Sequence, residues 1–573
     1  MIFTLISAVL IFVVNRVPAM VALFPNGDLL FSPYTGTHAI PLRIFIIAFY
    51  LAFALVVGAS WWRRVLFLAD MSLYFVVLCG LLDVMNIIAY QTTGFVYSLA
   101  VVEILSGLIG FFVFSLCLLN HGSMPARVPA PYTSRFKLGS LVGIVVGVVL
   151  AMFASLAVGR LQLPLISDLR RISLLGGTGP GVFLFLPMFF LLLYFAGTLQ
   201  SMLRRKSAYM PDVTVIIPAH NEAHVIARTL AAVDAAAAPY AGEVHVLVLN
   251  NCSTDETAAA AQAALSGLVH LRGRVIDVPQ PGKSLALNRG IAETKTEFVV
   301  RIDADTQILP ETLTRAMRHF SRAEVGVVGG LPLAPGGGPF DRSRTLEVLL
   351  KHGFYQVAYG AVDGIVGVPG MFAVYRTDLV RQVGGFVQGM NGEDTDVSLR
   401  IGELGHRIVG DPSVTYVSEV PLTYRHLREQ RMRWFRSVYH VSARNRDYLD
   451  NWRFSVRGKI VLPFMLLNSA RRAMTVPLAI FGALYLSVDV DMVGTVTMQA
   501  AIAVLVGAPI LMGAFAALAN GRPQALLGMP EYFLFRIVRC YLTLESVLSI
   551  AFEDRPARVI DKMPTIPVAG DAP

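Results

Sequence analysis

The distribution of apolar residues limits the fold of this chain more than any other feature. Long apolar runs fill residues 1–203 and 459–552, whereas residues 204–458 have the composition of a soluble domain. Hydrophobic residues make up 55% of the chain and charged residues only 15%, which excludes an ordinary soluble protein. The chain is therefore expected to carry one soluble domain between two helical membrane regions, followed by a short tail at 553–573.

The apolar runs are long enough to predict individual membrane spans, since a helix needs about 20 residues to cross a bilayer. Candidates lie at 3–24, 40–60, 64–90, 94–119, 137–159, 181–203, 473–490 and 493–518. Residues 531–552 carry Arg536, Arg539 and Glu545 at helical spacing, so an amphipathic helix in the membrane plane is as compatible with that stretch as a span. We expect about eight spans in total.

The basic residues between these runs predict the orientation of the chain. Lysine and arginine follow the second, fourth and sixth candidate spans, whereas the loops at 25–39 and 91–93 have none. By the positive-inside rule, the N-terminus and the central domain face the cytoplasm of a multi-pass protein in the cell inner (plasma) membrane. The loop with Arg160, Arg170 and Arg171 disagrees with this orientation.

The net charge of +9 suits a protein that works beside anionic lipid, and it also suits a nucleotide ligand. Nucleic acid is not an expected partner, because no basic stripe is interleaved with base-stacking aromatic residues.

Within the central domain, short β-rich runs alternate with helical stretches. The runs cover 213–217, 244–249, 274–278 and 298–302, and helices are expected from about residues 222, 254, 283 and 310. Such alternation predicts a mainly parallel sheet with helices on both faces. Ligands of these sheets bind beyond the carboxyl ends of the strands.

Polar clusters occur where these strands end. Asp303 and Asp305 follow the fourth strand, and alternate residues of an extended chain point to the same side, so their carboxylates converge. A hard divalent cation such as Mg²⁺ or Mn²⁺ would neutralise them. The clusters at 218–222 and 250–255 are equally compatible with turn and helix-cap chemistry.

Two further motifs lie in the second half of the domain. Gly392-Glu393-Asp394 opens an amphipathic helix, as an acidic N-terminal cap or as a general base. Gln430-x-x-Arg433-Trp434 lies in an arginine-rich stretch, which could attach to anionic lipid or bind a diphosphate and the face of a sugar.

In their order, these motifs resemble those of the membrane-integrated family 2 glycosyltransferases. The similarity covers about residues 211–460 and includes the segments 213–222 and 282–288. It is greatest to the processive branch: cellulose, hyaluronan, chitin and poly-N-acetylglucosamine synthases. The resemblance implies a cytosolic α/β GT-A (Rossmann-like) domain that transfers a sugar with inversion from a nucleotide-diphosphate donor, expected to be a UDP-sugar.

The resemblance also implies roles for individual residues. Asp303 and Asp305 would bind Mg²⁺ or Mn²⁺, and Asp394 would be the catalytic base. Substrates would contact Ala219, Glu222, Asn250, Asn251, Lys283, Asp303, Glu393, Gln430, Arg433 and Trp434. Family members commonly have an aspartate where Asn250 and Asn251 stand, so the resemblance does not determine which nucleobase the donor carries.

The acceptor is the least determined part of this interpretation. Gln430, Arg433 and Trp434 favour a growing polysaccharide that is exported through the membrane region. A single transfer to a polyprenyl-phosphate or another lipid is the alternative. A transporter with a nucleotide-sensing domain is a third interpretation, although such a sensor would need no base.

Overall fold

The computed structural model describes residues 1–18, 41–95, 99–130, 137–161, 181–204, 208–451, 453–488 and 508–552. The predictions for the loop at 25–39 and the tail at 553–573 lie outside these ranges. So do Arg170 and Arg171 of the loop that disagrees with the predicted orientation.

Within the described ranges, six helices precede the central domain. They are α1 (Ile2–Arg16), α2 (Pro41–Val56), α3 (Trp61–Thr93), α4 (Leu99–His121), α5 (Leu138–Arg160) and α6 (Gly181–Leu203). Four helices of the described ranges are long and apolar enough to cross a membrane: Trp61–Thr93, Val102–His121, Leu138–Val158 and Phe185–Leu203. Ile2–Val14 and Leu42–Val56 are apolar but shorter. The chain is therefore membrane-associated, and the expected total of about eight spans stays a prediction.

The central domain is built on one eight-stranded sheet. Its strands are β1 (Val213–Ala219), β2 (Val244–Asn251), β3 (Arg272–Val278), β4 (Phe298–Ile302), β5 (Thr306–Ile308), β6 (Val325–Leu333), β7 (Phe372–Arg376) and β8 (Arg407–Ser418). Their order is β3-β2-β1-β4-β7-β6-β8-β5. The four predicted strands form the parallel half, whereas β7 is antiparallel to β4 and β6, and β5 is antiparallel to β8. The sheet is thus more mixed than the alternation predicts.

Helices pack on both faces of this sheet. They are α7 (Ile226–Ala237), α8 (Thr257–Ser266), α9 (Lys283–Glu293), α10 (Thr312–Met317), α11 (Asp341–Val348), α12 (Gln356–Ala361), α13 (Thr377–Gln382) and α14 (Glu393–Glu403). Every residue of β1 and β4 is buried, as expected of strands that are covered on both faces. The predicted α/β GT-A-like domain beside a helical membrane region is confirmed.

Two of these helices begin three or four residues later than predicted. Asn221 and Cys252, with φ angles of 57° and 56°, lie in the left-handed region of the loops after β1 and β2. The Asn221 side-chain oxygen accepts a hydrogen bond from the Thr254 N–H at 2.8 Å, which joins the two loops. The polar residues after these strands therefore form loops before α7 and α8 start.

The C-terminal part packs back on the N-terminal helices. Its described helices are α15 (Tyr424–Arg444), α16 (Arg446–Asp450), α17 (Leu462–Val488), α18 (Ala508–Ala519) and α19 (Met529–Leu548). Helix α19 packs along both α15 and α17, and α17 packs against α4 of the N-terminal bundle. The central domain is thereby joined to the bundle through α15.

Candidate functional site

The acidic residues after β4 lie at the carboxyl edge of the parallel strands. The Asp303 backbone N–H donates to the Met371 carbonyl at 3.1 Å, which fixes the start of the loop. Asp303 Oδ1 lies 2.8 Å from Lys283 Nζ. Burial acts to raise the pKa of Asp303, but Lys283 and Arg301 outweigh it and lower the pKa. The Asp303 carboxylate is therefore held in its ionised form.

Lys283 reaches Asp303 because the preceding loop is held in place by an asparagine. Gly282 has a φ of 144°, within the range that favours glycine, and its N–H donates to Asn251 Oδ1 at 2.8 Å. The Asn251 amide nitrogen donates to the Gln280 carbonyl at 2.7 Å. Both ends of the Asn251 amide are thus used by the loop, and its predicted contact with a nucleoside stays a prediction.

Asn250 lies at the same edge but in a different environment. Its amide nitrogen donates to Asp277 Oδ1 at 2.7 Å, on the neighbouring strand β3. This bond turns the Asn250 carbonyl oxygen away from Asp277, and that oxygen is buried without a hydrogen-bond partner. Ala219, the last residue of β1, is paired with Asn250 in the sheet and is buried. The structure therefore brings Ala219 and Asn250 together, and their contact with a nucleoside stays a prediction.

Arg301 is a site residue that the sequence analysis did not identify. It lies within β4 and is only 2% exposed, and its guanidinium donates to Glu393 Oε1 at 3.0 Å. The same group lies 3.7 Å from Asp303 Oδ1. Arg301 thus connects the two acidic motifs. The available signal was a charged residue inside an otherwise apolar strand, since a buried arginine is normally paired.

Asp305 and Glu222 form the less compensated part of the acidic site. Burial and the neighbouring Asp303 carboxylate raise the pKa of Asp305 to about 6. Burial and then Asp305 raise the pKa of Glu222. Carboxylates whose pKa values are raised by neighbouring carboxylates indicate a place where positive charge is lacking.

The chemistry of this site fits a divalent cation. Asp303 and Asp305 supply two hard oxygen donors at the carboxyl edge of the sheet. This suits Mg²⁺ or Mn²⁺, since such ions are commonly held by one or two carboxylates together with substrate phosphates and water.

The Glu393-Asp394 pair begins α14, directly after Gly392, which has a φ of 89°. Asp394 Oδ1 accepts from the Thr395 N–H at 2.7 Å in the first turn, whereas the N-cap position Gly392 has no side-chain cap hydrogen bond. Arg301 lowers the pKa of Glu393 against the effect of burial. In contrast, burial and then Glu393 raise the pKa of Asp394. The two adjacent carboxylates are thus differentiated, and Asp394 is the one with the greater affinity for a proton.

The Gln-x-x-Arg-Trp residues lie on α15, which begins after the capping side chain of Thr423. Gln430 is half-buried and Arg433 is exposed. Neither side chain makes a hydrogen bond or an ion pair to another described residue. Trp434 is half-buried, and the Arg431 guanidinium carbon lies 4.6 Å from the centre of its ring system.

A second group of residues missed in the sequence holds Trp434 in place. Arg431 is 2% exposed and donates two hydrogen bonds to Glu347, at 3.0 and 2.7 Å. Arg344 pairs with Glu347 at 3.0 Å and lies 4.8 Å from the Trp434 ring system. Burial acts to raise the pKa of Glu347, but Arg431 and Arg344 hold it well below its usual range. Trp434 is therefore supported by a buried ionic cluster, which α11 shares with α15.

Comparisons with known proteins bear on the whole domain. Residues 214–384 match the family model described as glycosyl transferase family 2. A probable glycosyltransferase YdaM of Bacillus subtilis is 27% identical over 246 residues, or 42% of this chain and 58% of that protein. A poly-β-1,6-N-acetyl-D-glucosamine synthase of Staphylococcus aureus is 24% identical over 277 residues, or 46% of this chain and 66% of the synthase. The alignments thus span less than two thirds of these relatives.

Solved structures were compared as well. The mannosyltransferase PcManGT from Pyrobaculum calidifontis, in complex with GDP-Man and Mn²⁺, is 20% identical, with a TM-score of 0.44. The similarity covers 65% of this chain and 99% of that structure. TarS 1–349 of S. aureus with UDP-GlcNAc is 15% identical, with a TM-score of 0.32, over 58% of this chain and 91% of that structure. The family match thus assigns residues 214–384 of this membrane-associated chain to a family 2 glycosyltransferase domain.

Proposed function

We propose that this protein is an inverting glycosyltransferase that moves a sugar from a nucleotide-diphosphate donor, a UDP-sugar, onto a growing polysaccharide. The observation that carries the proposal is the pairing of two acidic motifs through one buried arginine. Arg301 contacts Glu393 at 3.0 Å and lies 3.7 Å from Asp303, which supports a donor site and a base that lie side by side.

The donor would bind at Asp303 and Asp305, with Asn250 and Ala219 beside the nucleoside. A divalent ion bound there would offset the negative charge that develops on the departing diphosphate. Lys283 adds a further positive charge at this point, since its Nζ lies 2.8 Å from Asp303. The complex of PcManGT with GDP-Man and Mn²⁺ is consistent with such a metal requirement.

Asp394 would act as the base for the acceptor. Its carboxylate would take the proton of the acceptor hydroxyl while the hydroxyl oxygen bonds to the anomeric carbon and the bond to the diphosphate breaks. A raised pKa improves Asp394 as a proton acceptor, and Glu393 keeps its own charge through Arg301. One displacement on the opposite face of the sugar inverts its configuration.

The acceptor would lie along α15. Arg433 is exposed there and free to meet an anionic group, and Trp434 offers an aromatic face to a sugar ring. We therefore infer a glycan acceptor that is extended at the cytosolic face of the inner membrane and exported through the helical bundle. The relationship to a poly-β-1,6-N-acetyl-D-glucosamine synthase supports this choice over a single transfer to a lipid.

The test uses the purified full-length protein with Mg²⁺ or Mn²⁺ and a panel of radiolabelled nucleotide sugars, followed by sizing of the product. We expect a labelled polymer. A labelled lipid would replace the polysaccharide acceptor with the lipid alternative, and no incorporation from any donor would refute sugar transfer itself.

Asp394→Asn is the matching test of the base. The amide keeps the shape of the carboxylate but cannot take a proton, and general-base catalysis is worth about 10²- to 10⁴-fold. We expect transfer to fall by that factor while donor binding persists. Asp378→Asn, on α13, is a control that changes the charge equally. Turnover near that of the unmodified protein would contradict the assignment of Asp394.

A further inference from the structure

Four arginines meet where helices α17 and α19 pack together, apart from the acidic site. Arg471 and Arg472 are contributed by α17, and Arg536 and Arg539 by α19. Helices α17 and α19 pack closely along each other, and Arg539 influences the charge of each of the other three arginines, so the four positive charges lie in one region. We call these four residues the arginine cluster.

Little negative charge opposes the arginine cluster in the described ranges. Glu347 contacts Arg539 at 3.4 Å, but the same carboxylate already binds Arg431 and Arg344. The acids of α19 are used elsewhere. Glu531 pairs with Arg342 at 3.2 Å and Glu545 accepts from Arg428 at 2.8 Å.

Several donors of the arginine cluster have no acceptor. The Nε atoms of Arg472 and Arg539 and one terminal nitrogen of Arg536 are buried without a hydrogen-bond partner. Neither Arg472 nor Arg536 forms an ion pair with any described residue, although Arg472 lies 5.5 Å from the ring centre of Phe435. Unpaired charges of one sign in a partly buried site are costly unless an anion joins them.

The surroundings indicate what kind of anion would fit. Arg471 is exposed, so the cluster is open on one side. Leu534 and Ile537 of α19 are 62% and 50% exposed, and they offer apolar surface beside the charges. Guanidinium groups bind phosphate through two parallel hydrogen bonds, and basic sites between membrane helices suit phosphorylated head groups.

From these observations we propose that the arginine cluster binds a phosphate group, and that its source is a membrane lipid whose acyl chains lie along α19. This site is separate from the acidic site, and the proposal does not depend on sugar transfer. It assigns the arginines of α19 to a ligand in addition to their part in an amphipathic surface.

The experiment measures lipid binding to the full-length protein in neutral detergent by native mass spectrometry. The probes are dioleoylphosphatidic acid, dioleoylglycerol, which is the same lipid without the phosphate, and inorganic pyrophosphate. We expect at least about tenfold tighter binding of phosphatidic acid than of dioleoylglycerol. Equal binding of the two lipids would overturn the proposal. If micromolar pyrophosphate displaced phosphatidic acid, the result would support the phosphate site. The natural ligand would then be a free anion rather than a lipid.

Paired variants connect the binding to these residues. In Arg472→Gln/Arg536→Gln, we expect phosphatidic acid to bind about tenfold more weakly or worse. The control Arg342→Gln/Arg425→Gln removes two arginines whose side chains are 70% and 86% exposed, and it should bind as the unmodified protein does. Equal affinities in the two variants would refute the site.

If the glutamine variant does not fold, Arg472→Lys/Arg536→Lys takes its place. Lysine keeps the charge but lacks the planar pair of donors, so phosphatidic acid should still bind severalfold more weakly. An unchanged affinity in this variant would also overturn the proposal.

Discussion

Gly370 separates the proposed base from the buried arginine, and a single methyl group there should disable the site. A Cβ atom at this position would lie 2.7 Å from Asp394 Oδ2 and 2.8 Å from Arg301 Nη2. Ordinary contacts of a Cβ atom begin at 3.4 Å. Neither neighbour is a free side-chain end, because Arg301 is tied to Glu393 and Asp394 to the Thr395 N–H. Gly370→Ala must therefore displace one or both by about 0.7 Å.

The size of the effect follows from that displacement. A shift of about 1 Å in a reacting group can cost about 10²-fold in rate. We expect Gly370→Ala to lower the turnover number by roughly 10- to 100-fold while the Michaelis constant for the donor changes little. The reason is that the methyl group lies on the side of Asp394, whereas Asp303 keeps its contact with Lys283.

The assay is sugar incorporation by purified Gly370→Ala with the donor selected from the nucleotide-sugar panel. Gly267→Ala is the matched control, since its Cβ would meet no atom closer than 3.7 Å. Thermal unfolding of both variants separates a local effect from a loss of folding. If Gly370→Ala turned over within twofold of the control, Asp394 would not need its present position, and the reasoning would be refuted.

Two more predictions concern the buried groups of the domain. Arg301→Met leaves Glu393 and Asp303 without their shared cation, and breaking a buried ion pair costs about 3–5 kcal/mol. The variant should therefore unfold at a clearly lower temperature, and an unchanged unfolding temperature would contradict this. Burial and then Arg436 lower the pKa of His440 from 6.5 to about 4, and its Nδ1 accepts from the Asn391 N–H at 3.1 Å. As the pH drops, His440 is therefore protonated in the unfolded chain before it is protonated in the folded protein. The free energy of unfolding should fall as the pH drops from 6.5 towards 4. The free energy of unfolding of His440→Gln should fall less over that pH range. If it changed with pH in parallel with that of the unmodified protein, His440 would not cause the pH dependence.

The parallel half of the sheet could be predicted because its strands are short apolar runs that are covered on both faces. Residues 213–217 and 298–302 fall within β1 and β4, in which every residue is buried. The remaining strands, β5 to β8, were not predicted. The reason is physical: β8 contains charged and polar residues whose place in the sheet depends on pairing with β6 rather than on local composition.

The candidate site divides in the same way between local and distant interactions. Asp303 and Asp305 could be recognised because two carboxylates at alternate positions after an apolar strand are a local pattern. Arg301 and Glu393 are 92 positions apart, and the local sequence around either residue does not predict their contact. Gly370 has no side chain that could indicate a function in the sequence. Its importance arises only because the side chains of Asp394 and Arg301 approach it in the fold.

The arginine-rich helix α15 is where the structure changes the interpretation most. From the sequence its arginines form one group, to be assigned together either to lipid or to a diphosphate. In the fold they serve different purposes, because Arg431 is buried against Glu347, 84 positions away, whereas Arg433 is exposed. Arg431 is only 2% exposed and both of its terminal nitrogens donate to Glu347, so its guanidinium is not accessible to a ligand from solvent. A ligand that approaches Trp434 therefore meets Arg433 as the available guanidinium, while Arg431 and Glu347 fix the ring against which that ligand would stack.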